Sequence, residues 1–297
     1  MAISIATTSD LESLQKIVVA EGEFTAEHVA PMKQLVTLFR MKIGEKQINW
    51  GYYGQATAAA LTDGVDMTAS QTESNTVVNI TTSEVGCKII LSDKLIRQAV
   101  DDMFRVAGRQ LGEAMGTKLD KDLLALFDGF TTLSLGSTTT TITHSYVTTA
   151  ITRLKGGLGT SYTDPAPDPI YIVLHPFQGK LLLDDATGLA SGLFTYPIPE
   201  GPSADILRNY FQGMTKMWSK PLFFDGNLTI DASNDCKGAV FSKAALYLCY
   251  QQEWNVERER DASLRAWELN AVSDYGVGEL RDQYGVEMYF ASTAPTS

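Results

Sequence analysis

Residues 92–129 read SDKLIRQAVDDMFRVAGRQLGEAMGTKLDKDLLALFDG, and this stretch decides how the chain is built. Its apolar residues Ile96, Val100, Met103, Ala107, Leu111, Met115, Leu119, Leu123 and Phe127 step by three or four each time. That spacing draws one continuous stripe along an α-helix and leaves Asp, Arg, Gln and Lys most of the other face. Ser92 suits the N-cap, Asp93 the positive start and Gly129 a left-handed stop. Unbroken from Asp93 to Asp128, the helix would span roughly 54 Å at about 1.5 Å per residue. A compact globule of this length has a radius of gyration of only about 19 Å, so a flat or elongated body is expected. Gly108, Gly112 and Gly116 form a ridge of their own within this helix. Each costs a helix about 1 kcal/mol relative to alanine, which points either to a second element crossing closely or to a kink near Gly108.

Working outward, the chain has 297 residues, 44% hydrophobic and 20% charged, with a formal charge of −11. These values describe a globular protein with room for one large or two modest cores and argue against a generally basic nucleic-acid surface. No apolar run is long enough to span a membrane, and MAISIATTSD does not have the form of a secretory signal. Cys87, Cys236 and Cys249 are isolated and fit buried thiols in a reducing compartment, with synthesis in a cytoplasm.

Before the helix, Ser9-Asp10-Leu11-Glu12 has the form of a capping box. A second helical piece is expected after Thr25, restarted by Pro31 and carrying Leu35, Leu38 and Phe39, so that the N-terminus forms an arm. Gln47–Tyr53 and the run from Val77 to Leu91 read as strands, separated by a Gly-, Ala-, Thr- and Ser-rich segment. From Gln47 through Cys87 there is no Lys or Arg, against Asp63, Asp66, Glu73 and Glu84. A long bare hairpin of this kind is marginal alone and is expected to lie against another protein surface. After the helix come a Thr-rich connector, a helix at 145–154 and a proline loop at 163–169. A buried strand at Ile170–Leu174, a helix at 177–184, a Gly/Pro loop at 188–202, a helical piece near 204–210 and a strand at 216–224 follow. The last third reads as strands, including 264–272 and 284–291, and the class is α+β.

Catalytic signatures are missing from the sequence: there is no GxSxG, P-loop, HExxH or strand-borne GxGxxG. No cofactor or metal site is therefore expected. His28, His144 and His175 stand apart. His175 before Pro176 can be read as a base or as a structural cap on the next helix. On a strand, Glu257, Glu259 and Asp261 would face one way and Arg258 and Arg260 the other. That alternation fits either a charge-protected edge or ion pairing between subunits.

The order of these pieces resembles the tailed-phage major capsid proteins of the Hong Kong 97 fold, which encapsulin shells share. The textual echoes are KIILSDKLIRQAVDD, KLDKDLLALFDG, PIYIVLHPFQGKLLLDD, GAVFSKAALYL, ERERD and YGVEMYFAS. The resemblance implies an N-terminal arm and the start of a peripheral domain at 1–46 and an extended loop at 47–78. It further implies a peripheral domain with spine helix 93–128 within 79–143, an axial domain at 144–232 and a return to the peripheral domain at 233–297. Function is then expected to be a virion shell of pentamers and hexamers around double-stranded DNA. A separate scaffolding protein, a portal and decoration proteins are the candidate partners, with DNA close by and no membrane. Trp50, Tyr52, Tyr53, Asp63, Asp66, Glu73, Glu257, Arg258, Glu259 and Arg260 are the residues expected to meet neighbouring subunits. The absence of lysine between Lys46 and Lys88 speaks against the isopeptide crosslink of some members. A scaffolding domain before the arm is not expected, because the chain opens on Met1. The alternatives are an encapsulin-like shell and a soluble α+β enzyme using His175.

Overall fold

In the computed structural model, residues 92–129 form two helices, α1 (Asp93–Gln98) and α2 (Met103–Ala125), and a closing 3-10 turn at Leu126–Gly129. The structure describes residues 30–42, 44–54, 58, 60–64, 66, 70, 75–99, 102–156, 164–187 and 216–295. The single rod 93–128 is thus corrected to a short helix and a long one. Ala99 leaves α1 in an extended conformation, and the Asp102 carboxylate accepts the Phe104 N–H at 3.1 Å to open α2. A side-chain cap of this kind starts a helix afresh, and apolar periodicity is blind to it. Ser92 caps α1 as expected, accepting the Leu95 N–H at 3.3 Å. The helix is not broken at Gly108: α2 runs through Gly108, Gly112 and Gly116, all buried. Gly129 does not stop the helix in the left-handed region. It is small for want of space, since a Cβ there would lie 1.6 Å from Glu279 Oε1.

Leu38 and Phe39, expected on a helix, belong instead to strand β1 (Thr37–Arg40), which follows a 3-10 turn at Pro31–Gln34. Parallel pairing with Tyr247–Tyr250 gives this segment backbone partners from a distant part of the chain, which local propensity does not register. The capping box at 9–12, the start of the piece after Thr25, His28, the loop 188–202 and the piece 204–210 lie outside the described residues.

Two sheets and a hairpin organise the rest. The first sheet runs β1, β10 (Leu246–Asp261), β11 (Ala266–Glu279), β4 (Ser83–Ser92), antiparallel except for β1. Helix α2 lies on β4 and β11, where Ala107, Leu111 and Met115 pack with Leu91, Val256, Leu269 and Ala271. The second sheet has six strands, in the order β5 (Ser134–Gly136), β12 (Gly285–Ala291), β9 (Asp235–Ser242), β6 (Ile170–Leu174), β8 (Lys220–Phe224), β7 (Lys216–Met217). Helices α3 (His144–Gly156) and α4 (Pro176–Thr187) belong to this part, and Val147, Ile151, Leu154 and Leu182 enter the same core as Ile170 and Met288. The expected lobe 144–232 is therefore not a closed unit. Its strands share a sheet with residues 134–136, 235–242 and 285–291, because strand neighbours are chosen by burial and not by sequence proximity. The third body is the antiparallel hairpin of β2 (Gln47–Tyr53) and β3 (Asn75–Thr81), as the strand pattern foretold. No described helix is long and apolar enough to cross a membrane.

The large core holds Phe127 and Phe241 with ring centroids 5.4 Å apart, both with no exposed surface. Phe127→Ala is expected to lower unfolding free energy by about 3–5 kcal/mol in denaturant titrations, as a buried aromatic leaves a cavity that cannot collapse. At Gly276 an added Cβ would sit 2.0 Å from the Thr81 carbonyl oxygen. Gly276→Ala is therefore expected to lower the thermal midpoint, whereas Gly226→Ala, with open space around it, is expected to change it little.

Candidate subunit interface

The β2–β3 hairpin pairs from Gln47 with Thr81 to Tyr53 with Asn75, and it joins neither large sheet. Strand alternation gives it two faces. On one lie Ile48, Trp50 and Tyr52 with Val78 and Ile80 opposite, and this face meets the body. Ile80 is fully buried with Met41, Tyr247, Cys249 and Leu280, and Phe39, Ile48 and Val78 pack around them. Trp50 leans on Phe39 at 4.9 Å between ring centroids but remains 42% exposed. The Arg281 guanidinium sits 4.3 Å above the Tyr52 ring. Arg281 also donates to Asp164 Oδ2 at 2.7 Å and to the Tyr284 hydroxyl, while Tyr284 donates to the same Asp164 oxygen at 2.6 Å. Burial and the Asp164 bond push the Tyr284 phenol up to about 12. One arginine thus ties the hairpin, the proline loop and the C-terminal strands together.

The opposite face, with Asn49, Gly51, Tyr53, Val77 and Asn79, is open; Tyr53 is 63% and Val77 50% exposed. Asp63 and Asp66 lie exposed in the segment that joins the strands, and Leu61 beside them is 70% exposed. Glu73 lies outside the described residues. The sequence singled out Trp50, Tyr52, Tyr53 and the acids but missed Val77 and Arg281. Val77 was legible from the β3 alternation, whereas Arg281 joins this site only through tertiary packing.

The second expected contact is the acidic–basic run on β10. The pairing of β1 with β10 ends at Tyr250, before this run. Arg258 and Arg260 fall on the same side as the buried Val256, over the Trp267 ring at 5.7 and 5.2 Å. Arg260 donates through both terminal nitrogens to Asp93 at 2.8 and 2.7 Å, a fork-to-carboxylate pair at the first turn of α1. Its charge is answered within the chain. Glu257 and Glu259 alternate to the other side and are exposed. Asp261 caps the β10–β11 connection, accepting the Ser263 hydroxyl at 2.6 Å and the Leu264 and Ser263 N–H groups, which hold its carboxyl below the usual range.

His175 is a structural cap. It is 6% exposed, its Nδ1 accepts the Phe177 N–H at 3.2 Å, and its own N–H donates to Gln178 Oε1 at 3.2 Å. Burial holds the ring below its ordinary pKa, the Asp225 carboxyl acting weakly against this. Cys236 is buried and its thiol pushed up to about 12; Cys87 and Cys249 are also free. Among the described residues no group of acids, histidines and cysteines is arranged to hold a metal.

No family model matches the sequence, and no curated protein matches it either. Solved structures do. The head structure of Helicobacter pylori bacteriophage KHP40 superposes with a TM-score of 0.67 at 13% identity, covering 87% of this chain and 89% of that one. The capsid of Ralstonia phage GP4 gives 0.66 at 12% identity over 89% and 88%. A structure from Mycobacterium phage Che8 gives 0.61 at 14% over 82% and 84%. Broken spine helix, detached hairpin and paired sheets together make this an α+β chain with the fold of the tailed-phage major capsid proteins, the Hong Kong 97 type.

Proposed function

We propose that this chain is the major capsid protein of a tailed phage, which assembles through pentamers and hexamers into an icosahedral shell around double-stranded DNA. The observation that carries the reading is the β2–β3 hairpin. It stands outside both sheets, is fixed at its root by Ile80 and toward its far end by Arg281 over Tyr52, and leaves Tyr53 and Val77 uncovered on its outer face. A two-stranded ribbon that exposes Tyr53 and Val77 on its open face gains stability by lying on another surface. A second copy of the chain supplies that surface. We assign the peripheral part to the four-stranded sheet with α1 and α2, and the axial part to the six-stranded sheet. Tyr53, Asp63, Asp66, Glu257 and Glu259 then face neighbouring subunits, and Trp50, Tyr52, Arg258 and Arg260 support those contacts from behind. A net charge of −11 suits a shell that must not grip packed phosphates. The virion is the place of action, after synthesis in the host cytoplasm, with scaffolding, portal and decoration proteins as the partners of assembly.

Size exclusion with negative-stain imaging tests the reading. Megadalton particles or capsomer rings are expected, and a species that stays at 32.4 kDa at high concentration and under crowding would overturn it. Nucleic acid recovered from nuclease-treated particles made in infected cells separates a genome shell from a compartment that holds protein cargo. Tyr53→Asp combined with Val77→Asp is expected to abolish assembly while leaving the circular dichroism of the subunit unchanged. Arg281→Ala removes the partner of Asp164 and Tyr284 and is expected to cost about 1 kcal/mol in subunit stability.

A further inference from the structure

Where α2 meets the turn after β8, two carboxyl groups lie side by side away from water. Asp120, on the buried face of α2, has no exposed surface, and Asp225 is 6% exposed. The Met32 N–H donates to Asp120 Oδ1 at 3.2 Å, and the Asn227 amide donates to Asp120 Oδ2 at 2.9 Å. The Asn227 N–H donates to Asp225 Oδ1 at 2.8 Å. Asp225 Oδ2 is buried with no conventional donor, and the Asp120 carboxyl stands beside it. The groups acting on Asp120 are Asp225, Asn227 and the Met32 N–H, with no cation among them. His175 feels the Asp225 carboxyl, and burial holds its ring below its ordinary pKa. Two adjacent buried carboxylates cannot both carry charge without a large penalty, and one retained proton supplies the missing hydrogen bond.

We propose that Asp120 and Asp225 share one proton, and that this proton clamps the Asp225–Asn227 turn to α2 until the pH rises through neutrality. Burial first, then the Asp225 carboxyl, pushes Asp120 up to about 7. An unfolded aspartate titrates near 3.9, so between about pH 4 and pH 7 the folded chain holds one proton more than the unfolded chain. Stability from this pair is therefore complete at low pH, declines as the pH rises across that window and levels off above it. Deprotonation acts unevenly. The bonds from the Met32 N–H and the Asn227 amide tighten on a charged Asp120, while the contact with Asp225 becomes repulsive. The turn pivots about Asn227, and Asp225 swings out, straining the bond from its N–H to the Leu174 carbonyl, now 3.0 Å. The 3-10 turn that roots the N-terminal segment stays in place.

The full-length subunit tests this without reference to assembly. Thermal midpoints are measured from about pH 4 to about pH 8 for the wild type and for Asp225→Asn, whose amide can donate to Asp120 and remove the need for the proton. A wild-type midpoint that falls to about pH 7 and then levels, with that step missing in the variant, is the expected result. Parallel profiles would overturn the proposal, since background repulsion from the net charge is common to both. Should the variant not fold, amide exchange of the wild type on either side of neutrality, corrected for intrinsic rates, decides the matter. Peptides covering 222–230 are expected to lose protection while those covering 30–36 keep theirs. Equal change in both segments, or change in neither, would overturn the proposal.

Discussion

One helix serves two cores, and the arrangement of the subunit follows from that. The first half of α2 presses Ala107, Leu111 and Met115 onto the four-stranded sheet. Its second half puts Leu119, Leu123 and Leu124 into the large core shared with the six-stranded sheet. Burying apolar surface at both ends of a rigid rod fixes the spacing of the two sheets, since a helix neither stretches nor bends cheaply. Strand β10 repeats the device: Leu246 and Leu248 belong to the large core, Tyr247 and Cys249 to the hairpin root and Val256 to the core under α2. Two continuous elements thus hold three clusters in one frame.

Much of this frame could be read from the residues. The stripe from Ala107 to Phe127 was legible because burial on one face of a helix leaves a period, and the β2–β3 pairing because alternation flanks a polar, Gly-rich segment. Ile170–Leu174 announced a buried strand through unbroken apolar content. Other features were hidden for physical reasons. The gap between α1 and α2 depends on a single aspartate cap, which carries no hydrophobic signal. Leu38 and Phe39 form a strand only because Tyr247–Tyr250 lies alongside. The six-stranded sheet draws on five separated stretches, so a boundary placed where composition changes cuts through it. At the hairpin, the aromatic residues were visible in advance and the arginine that seats them was not.

Charge follows a related logic. Arg260 and Lys237 are answered inside the chain, the first by Asp93 and the second by Asp128 and Glu287. Pairing of this kind adds little free energy at a surface but fixes the side chains that stack on Trp267 and Tyr289. The acids left exposed on β10 and in the hairpin segment give the surface its sign. Exposed charge of one sign selects partners of complementary potential and bears on register more than on tight association.

The hairpin root has a consequence for synthesis. Met41 and Ile80 complete their cluster only with Tyr247, Cys249 and Leu280, and β1 finds its partner only in β10. Non-local pairing of this kind is slow and must wait for the far segment. A nascent chain therefore carries an unseated hairpin until residues 246–280 have left the ribosome. The outer face of the hairpin is therefore positioned late, so truncated or stalled chains lack its geometry.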